Sequence, residues 1–195
     1  MTQGLRIVGG ELGGRRIALP KGASLRPTSE RVREAMASAL QSHRPLQGAV
    51  VYDLFAGTGA MAFELLSRGA SQALLVERDV KAFDQLRRNA SQLALEERLS
   101  LLRLDLLARP QGLSEWCQAR ALPLADFVFI DPPYAEVGRC AALLRVLAEV
   151  PLLREEGLLA FEYGKEPPPE LLPWRLLRRY RYGETTVALF SLNPP

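Results

Sequence analysis

Residues 52–70, YDLFAGTGAMAFELLSRGA, decide the expected fold of this chain. The stretch begins inside an apolar run, AVVYDLF, that predicts a buried strand, and it continues into a segment of helical composition over 60–68. Gly57 and Gly59 lie between the two. In an open α/β sheet, ligands bind beyond the carboxyl ends of the strands, and glycines at the first strand-to-helix turn let a ligand approach the backbone closely. The stretch therefore predicts a Rossmann-like sheet with a ligand site at this turn.

From residue 49 onward, short apolar runs alternate with helical stretches, which is typical of a parallel sheet. The predicted strands are AVVYDLF, QALLVE, LSLLRL, ADFVFID and GLLAFEY, and the predicted helices cover 60–68, 80–94, 112–120 and 138–149. The segment WRLLRRYRYGETTVALFSL predicts two further strands about a Tyr-Gly-Glu turn. We therefore expect an α/β fold with a seven-stranded, doubly wound sheet that ends in an antiparallel hairpin.

The N-terminal part of the chain follows a different pattern. LRIVGGELGGRRIAL predicts two short strands about a glycine-rich turn, and the segment after Pro27 predicts a helix with Thr28 or Ser29 as its N-cap. Residues 1–48 carry eight Arg or Lys side chains against three acids, a bias found both in solvated surfaces and in surfaces that bind polyanions. The expected domains are a basic N-terminal extension over 1–46 and a main domain over 47–195.

The composition argues against several classes of protein. With 195 residues and 48% hydrophobic side chains, the chain can bury the core of one ordinary domain. No apolar run reaches the roughly 18–20 residues of a membrane span, and the N-terminus lacks a signal-peptide core, so the expected location is the cytoplasm. Cys117 and Cys140 show no metal-ligand spacing and are expected to be reduced, and the single histidine, His43, argues against a metal site.

Acidic side chains stand at the ends of the first three predicted strands. Asp53 ends the first, Glu77 ends the second and Asp105 closes the third. A carboxylate at the position of Glu77 suits the two hydroxyls of a ribose, and Asp105 is placed to face an adenine edge. Asp53 precedes the glycine turn, where a carboxylate suits a cationic α-ammonium group better than a pyrophosphate. These positions indicate S-adenosylmethionine as the ligand, with a nicotinamide dinucleotide as the weaker alternative.

The fourth predicted strand is followed by the sequence DPPY, Asp131 to Tyr134. An exocyclic amine on an aromatic base is a poor nucleophile because its lone pair is delocalised into the ring. Asp131 and a main-chain carbonyl of the Pro132-Pro133 turn can each accept one N–H bond from such an amine, and the prolines stiffen the turn. Tyr134 can stack on the base, an interaction worth roughly 1–3 kcal/mol. The motif therefore predicts methyl transfer to a planar amine.

These motifs resemble those of a known family. DLFAGTGAMAFE, VERD, FIDPPY and GGELGGRRIALPKGASLRPTSERVRE are similar to segments of the RsmD-like 16S ribosomal RNA guanine-N2 methyltransferases, along essentially the whole chain. The resemblance implies a class I methyltransferase fold, S-adenosylmethionine as the donor and the N2 amine of a guanine in 16S rRNA as the acceptor. It also implies that the partner is an assembled or assembling small ribosomal subunit.

The resemblance assigns roles to residues in three groups. The donor site that the resemblance implies comprises Asp53, Ala56, Gly57, Gly59, Glu77, Arg78, Asp105 and Leu106. Its catalytic turn, which would hold the guanine, comprises Asp131, Pro132, Pro133 and Tyr134. Its RNA contacts comprise Arg15, Arg16, Arg26, Thr28 and Arg31, of which the last three can instead close over the donor. Gly14 departs from the family, which is expected to carry a basic residue there.

Other functions share part of these motifs. A DNA adenine-N6 or protein glutamine methyltransferase would use the same donor loop, but this chain is short for a separate target-recognition domain, and the glutamine group usually has Asn in place of Asp131. A non-catalytic RNA-binding assembly factor would keep the fold without the activity, and a dehydrogenase would use the glycine loop alone. The expected oligomeric state is a monomer.

Overall fold

The computed structural model of this protein describes residues 4–20, 29–169 and 173–192. Its strands are β1 (Gly4–Arg6), β2 (Arg16–Ala18), β3 (Val50–Asp53), β4 (Gln72–Glu77), β5 (Leu99–Arg103), β6 (Ala125–Ile130), β7 (Leu153–Tyr163), β8 (Trp174–Tyr182) and β9 (Thr185–Leu192). Its α-helices are α1 (Glu30–His43), α2 (Ala60–Ser67), α3 (Val80–Gln92), α4 (Gln111–Ala119) and α5 (Ala141–Glu149).

Strands β3 to β9 form one sheet in the order β5-β4-β3-β6-β7-β9-β8, and β1 pairs with β2 in a separate antiparallel hairpin. β3 and β5 each run parallel to β4, and β6 runs parallel to β7. β9 is antiparallel to both β7 and β8. The predicted seven-stranded α/β sheet with a terminal antiparallel hairpin is therefore confirmed.

The chain divides into two compact units, residues 1–103 and 104–195. In the first unit, β3 is buried along its whole length and β4 is buried at its four central residues. Strands that are buried on both faces have continuous apolar sequences, which explains the runs AVVYDLF and QALLVE. β3 ends at Asp53, so Leu54 and Phe55 belong to the glycine turn rather than to the predicted strand. The predicted boundary after residue 46 stays a prediction.

The starts of helices α1 and α3 are set by side-chain caps. The Ser29 hydroxyl accepts a hydrogen bond from the Val32 amide at 3.3 Å, so Ser29 is the N-cap of α1. The Asp79 carboxylate caps α3 by accepting from the Ala82 amide at 2.8 Å. Caps of this kind satisfy amides that have no partner inside the helix.

The largest differences from the prediction in the second unit are at two boundaries. β7 begins at Leu153, four residues before the predicted strand, and α5 begins at Ala141 because residues 134–140 form a 3₁₀ helix. The β8-β9 turn contains Gly183 with φ +65°, which confirms the predicted hairpin. Within the described ranges, no helix has the length and apolar character that crossing a membrane requires.

Both cysteines are buried free thiols, as predicted from their spacing. Burial raises the pKa of the Cys140 thiol to about 12, and the nearby Glu136 carboxylate adds to this shift. Cys140 therefore stays protonated near neutral pH, where the thiolate would be the reactive form.

Candidate functional site

The glycine loop joins β3 to α2 through two residues with positive φ. Gly57 has φ +53° and Gly59 has φ +84°. A Cβ built on Gly59 would lie 2.6 Å from the side chains of both Phe63 and Leu86, whereas one built on Gly57 would have no heavy atom of the described residues within 4 Å. Gly59 is thus required by the packing of the loop, and Gly57 borders open space. Only Gly57 matches the predicted close approach of a ligand to the backbone.

Glu77 holds this loop in place. One carboxylate oxygen of Glu77 accepts from the Gly57 amide at 2.9 Å, and the other accepts from the Asp79 amide at 2.7 Å. The Ala56 amide donates to the Val76 carbonyl at 2.9 Å. The side chain of Glu77 is half-buried, and each of its oxygens can accept a further bond. Glu77 therefore organises the loop and still has capacity for ribose hydroxyls.

The residues of the first unit fit an amino-acid-bearing nucleoside. The Asp53 side chain stands directly before the loop and its residue is only 4% exposed. A buried carboxylate directly before this loop suits a cationic ammonium group. Arg78 is exposed, directly after Glu77. Asp53, Ala56 and Gly57 thus lie on or directly before one loop that Glu77 holds, and their roles toward a donor stay predictions.

Asp105 lies in the second unit, two residues beyond the end of β5. One of its carboxylate oxygens accepts from the Leu107 amide at 3.0 Å and from the Ala108 amide at 3.3 Å. Asp105 is half-buried and Leu106 is buried. The carboxylate therefore shapes its own turn, which the sequence did not indicate, and its role toward adenine stays a prediction.

The DPPY turn follows β6, whose six residues are all buried. Pro132 is buried and Pro133 is exposed, with φ −49° and ψ 133° at Pro133. The carbonyl of Pro133 accepts from the Glu136 amide at 2.7 Å and so starts the 3₁₀ helix. Of the two proline carbonyls that the sequence offered for an amine, that of Pro133 thus already accepts one bond, and the choice between them stays open.

Tyr134 is fixed by contacts with the terminal strands. Its hydroxyl lies 2.9 Å from the Thr185 hydroxyl and donates to the Glu162 carboxylate at 3.5 Å. Its ring packs on Gly164, where a Cβ would lie 2.6 Å from the ring. Sequence reasoning missed Glu162 and Thr185, and the one signal available was an acid inside the apolar run GLLAFEY. The predicted stacking residue is therefore held at its hydroxyl end.

The predicted RNA-contacting residues are placed only in part. Arg15 and Arg16 are exposed, and their guanidinium groups donate to the Gln92 carbonyl at 3.2 Å and to the Gly4 carbonyl at 3.1 Å respectively. Arg31 is exposed on α1. Arg26 and Thr28 lie outside the described residues.

Helix α2 anchors the N-terminal segment through a buried carboxylate. Glu64 has no exposed surface and accepts from the amides of Val8 and Gly9 at 2.7 and 2.9 Å. It also forms an ion pair with Arg68 at 2.7 Å. Burial lowers the pKa of the Arg33 guanidinium, and the carboxylate charge of Glu64 opposes this shift. The glycine-rich hairpin is thus held by helix α2, a contact that the sequence analysis did not foresee.

Asn89 connects the hairpin with the glycine loop. It is fully buried on α3, accepts from the Ala18 amide at 3.0 Å and donates to the Ala18 carbonyl at 3.1 Å. The same amide nitrogen donates to the Thr58 carbonyl at 3.2 Å. One side chain therefore joins the end of β2 to the loop that carries Gly57.

Comparison with known proteins identifies the family. The model of the family described as Conserved hypothetical protein 95 matches residues 5–191. This chain belongs to that family. It is 30% identical to the Ribosomal RNA small subunit methyltransferase D of Escherichia coli strain K12 over 191 residues, which cover 96% of this chain and 89% of the relative. The resemblance to the RsmD-like proteins is thereby confirmed.

Solved structures of similar proteins have the same architecture as this chain. A hypothetical protein from Thermus thermophilus matches with a TM-score of 0.76 and 30% identity, covering 96% of this chain and 99% of that chain. An RNA methyltransferase from Salinibacter ruber, solved with S-adenosyl-L-homocysteine, shares the fold at a TM-score of 0.61 and 16% identity, covering 87% and 96% of the two chains. The class I methyltransferase fold is therefore confirmed.

Proposed function

We propose that this member of the Conserved hypothetical protein 95 family transfers a methyl group from S-adenosylmethionine to the N2 amine of a guanine in 16S rRNA. The observation that carries the proposal is the DPPY turn, in which Tyr134 is held by Thr185 at 2.9 Å. A turn of this kind suits a planar amine. The relative from Escherichia coli is named as a small-subunit ribosomal RNA methyltransferase, which supports RNA as the substrate.

The donor site of the proposal uses the glycine loop. Asp53 would hold the α-ammonium group, Glu77 the ribose hydroxyls and Asp105 the adenine edge. Ala56, Gly57 and Gly59 would provide the backbone wall, and Arg78 and Leu106 would complete the site. The open space beside Gly57 and the burial of Asp53 support this assignment.

In this proposal, the DPPY turn binds and orients the amine that accepts the methyl group. When bound, S-adenosylmethionine supplies an electrophilic methyl carbon on a positively charged sulfur. In the transfer, the N–C bond would form as the S–C bond breaks, the sulfur would keep the electron pair, and the methylated amine would release one proton to solvent. Asp131 and a main-chain carbonyl of the Pro132-Pro133 turn would each accept one N–H bond and so localise the lone pair of the amine. No strong base is required, because the amine becomes acidic as it gains the methyl group.

The proposed partner is 16S rRNA within an assembled or assembling small ribosomal subunit, and the proposed active form is a cytoplasmic monomer. The base must leave its stack to enter a pocket, which costs least for an unpaired nucleotide. We therefore propose a loop guanine as the target. Arg15, Arg16 and the rest of the extension over 1–46 would contact phosphates, a role that suits their exposed guanidinium groups.

Label transfer from methyl-tritiated S-adenosylmethionine tests the proposal. Three acceptors are compared, namely unmethylated small subunits, free 16S rRNA and duplex DNA, and the product nucleoside is identified. We expect N2-methylguanosine, mainly from subunits. Methyladenine in DNA would keep the donor site and overturn the substrate. No transfer to any acceptor, together with tight RNA binding, would favour the assembly-factor alternative.

Asp131→Ala separates catalysis from donor binding in the same assay. Because Asp131 is assigned to the amine rather than to the donor, we expect turnover to fall on the order of 10²–10³-fold, as for loss of a preorganised polar contact. Calorimetry should show a donor Kd within about twofold of the wild type. A variant that loses the donor instead would remove Asp131 from the catalytic role.

A further inference from the structure

Strand β8 presents an unusual row of arginines and tyrosines at the edge of the sheet. Within its sequence WRLLRRYRY, four arginines are exposed and two tyrosines are half-buried, namely Arg175, Arg178, Arg179, Arg181, Tyr180 and Tyr182. β8 is the last strand of the order, so one of its edges has no neighbour among the described strands. Within the described ranges, none of these arginines pairs with a carboxylate.

The pairing with β9 divides these side chains between the two faces of the sheet. Directly paired residues of antiparallel strands share a face. Arg175, Arg178, Tyr180 and Tyr182 pair with Ser191, Leu189, Val187 and Thr185, which occupy alternate positions of β9 and so define one face. Arg179 and Arg181 pair with Ala188 and Thr186 on the other face. The irregularity between Leu176 and Arg178 shifts the register and puts Arg175 and Arg178 on the same face.

The first of these faces is also the face of the DPPY turn. Thr185 pairs with Tyr182, and the Thr185 hydroxyl is the partner of Tyr134. Glu162, the second partner of Tyr134, pairs with Val187 on the same face. A continuous row of side chains therefore leads from Tyr134 past Tyr182 and Tyr180 toward Arg178.

Contacts within the row support its continuity. The Arg178 guanidinium lies over the Tyr180 ring at 5.2 Å from the ring centre. Burial raises the pKa of Tyr182, and the neighbouring Tyr180 adds to that shift. At about 3.3 Å per residue, the row from Arg178 to Tyr182 is about 13 Å long. It is long enough for more than one nucleotide.

We infer that this row, called here the β8 track and consisting of Arg175, Arg178, Tyr180 and Tyr182, binds the unpaired RNA strand next to the target base. The inference rests on the proposed function, because it extends the acceptor site at Tyr134. Arginines that lack carboxylate partners complement phosphates, and partly exposed tyrosine rings give stacking platforms that every base can use. An unpaired strand fits better than a duplex, because bases within a duplex have no free face for a tyrosine ring.

The two faces of β8 give a matched test. The double variant Arg175→Gln/Arg178→Gln removes two charges from the β8 track, and Arg179→Gln/Arg181→Gln removes two charges from the opposite face. All four side chains are exposed, so both variants should fold, which circular dichroism and donor calorimetry check. Binding of a fluorescent, unpaired RNA oligonucleotide is measured by anisotropy across a series of salt concentrations.

The two doubles should differ clearly. We expect the track double to raise the Kd for the oligonucleotide at least about tenfold and to reduce the salt slope by about 1.4, as for two lost single-strand phosphate contacts. The control double should change the Kd by less than about twofold. Tyr180→Leu should weaken binding about fivefold or more without altering the salt slope, because stacking rather than charge is lost.

Three outcomes would overturn the inference. Equal effects of the two doubles would indicate unspecific attraction, equal binding of a duplex would remove the stacking role, and unchanged binding in the track double would put the RNA elsewhere. Failure of the proposed function is a separate result, because it appears as wild-type protein that does not methylate rRNA in the label-transfer assay. If the wild type methylates rRNA and the track double binds the oligonucleotide as tightly as the wild type does, the β8 track is refuted and the proposed function is not.

Discussion

Gly57 and Gly59 both have positive φ but different surroundings, which makes their alanine variants a sharp test of the donor site. A left-handed backbone costs a residue with a Cβ about 1–2 kcal/mol. Alanine regains about 0.4–1 kcal/mol because the unfolded chain is less flexible. Gly57→Ala, whose Cβ would meet nothing within 4 Å, should therefore lose only about 1 kcal/mol of unfolding free energy.

Gly59→Ala should lose more unfolding free energy than Gly57→Ala. Its Cβ would lie 2.6 Å from Phe63 and 2.6 Å from Leu86, so both side chains must move. Overpacking of this kind adds about 1–3 kcal/mol to the backbone strain. Urea unfolding should give a loss of about 2–4 kcal/mol in Gly59→Ala. Gly48→Ala, with φ +76° and open space at a different loop, controls for strain alone and should resemble Gly57→Ala.

The affinity for the donor should distinguish Gly57→Ala from the control Gly48→Ala. The new methyl group of Gly57→Ala occupies the space that the ligand is proposed to use, so calorimetry should give a donor Kd at least about tenfold higher, about 1.4 kcal/mol. Gly48→Ala should bind the donor like the wild type. If Gly57→Ala binds the donor within about twofold of the wild type, the space beside Gly57 is not the donor site. If Gly59→Ala is as stable as Gly57→Ala, the packing argument is wrong.

Other polar contacts, buried and exposed, give further tests. Glu64→Gln should destabilise the protein by about 2–4 kcal/mol, because the ion pair with Arg68 and one of the two acceptors for the Val8 and Gly9 amides are lost. Hydrogen exchange at Val8 should accelerate, and unchanged exchange would contradict the anchoring. Thr185→Val should lower kcat/KM for RNA about two- to tenfold while donor calorimetry stays unchanged, since one hydrogen bond to the tyrosine of the DPPY turn is lost. Arg15→Gln/Arg16→Gln should raise the KM for RNA and reduce its salt slope by about 1.4, and an unchanged slope would put the RNA surface elsewhere.

Local sequence patterns were sufficient for the sheet and for the positions of the acids. Apolar runs of strand length mark β3 and β4 because both faces of these strands are buried, and each run ends at an acid. Asp53 and Glu77 therefore stand at the last positions of their strands, as predicted. The Tyr-Gly-Glu turn is equally local, because Gly183 adopts the positive φ that glycine accepts without strain.

Helix and strand boundaries were predicted less well, because hydrogen bonds decide them. The predicted helix over 138–149 begins later, since the Pro133 carbonyl takes the Glu136 amide and starts a 3₁₀ helix. The choice between Thr28 and Ser29 as N-cap was open in the sequence. The hydrogen bond from the Val32 amide to the Ser29 hydroxyl decides it.

The sequence alone determined that Asp53 and Glu77 stand at the ends of their strands, because hydrophobic periodicity is a property of neighbouring residues. Only the tertiary structure decided what those residues touch. The contacts of Tyr134 with Thr185, of Glu64 with Val8 and of Asn89 with Ala18 join residues 51, 56 and 71 positions apart. Such pairs depend on strand register and helix packing, and a buried acid or amide in the sequence does not indicate which distant amide it will bind.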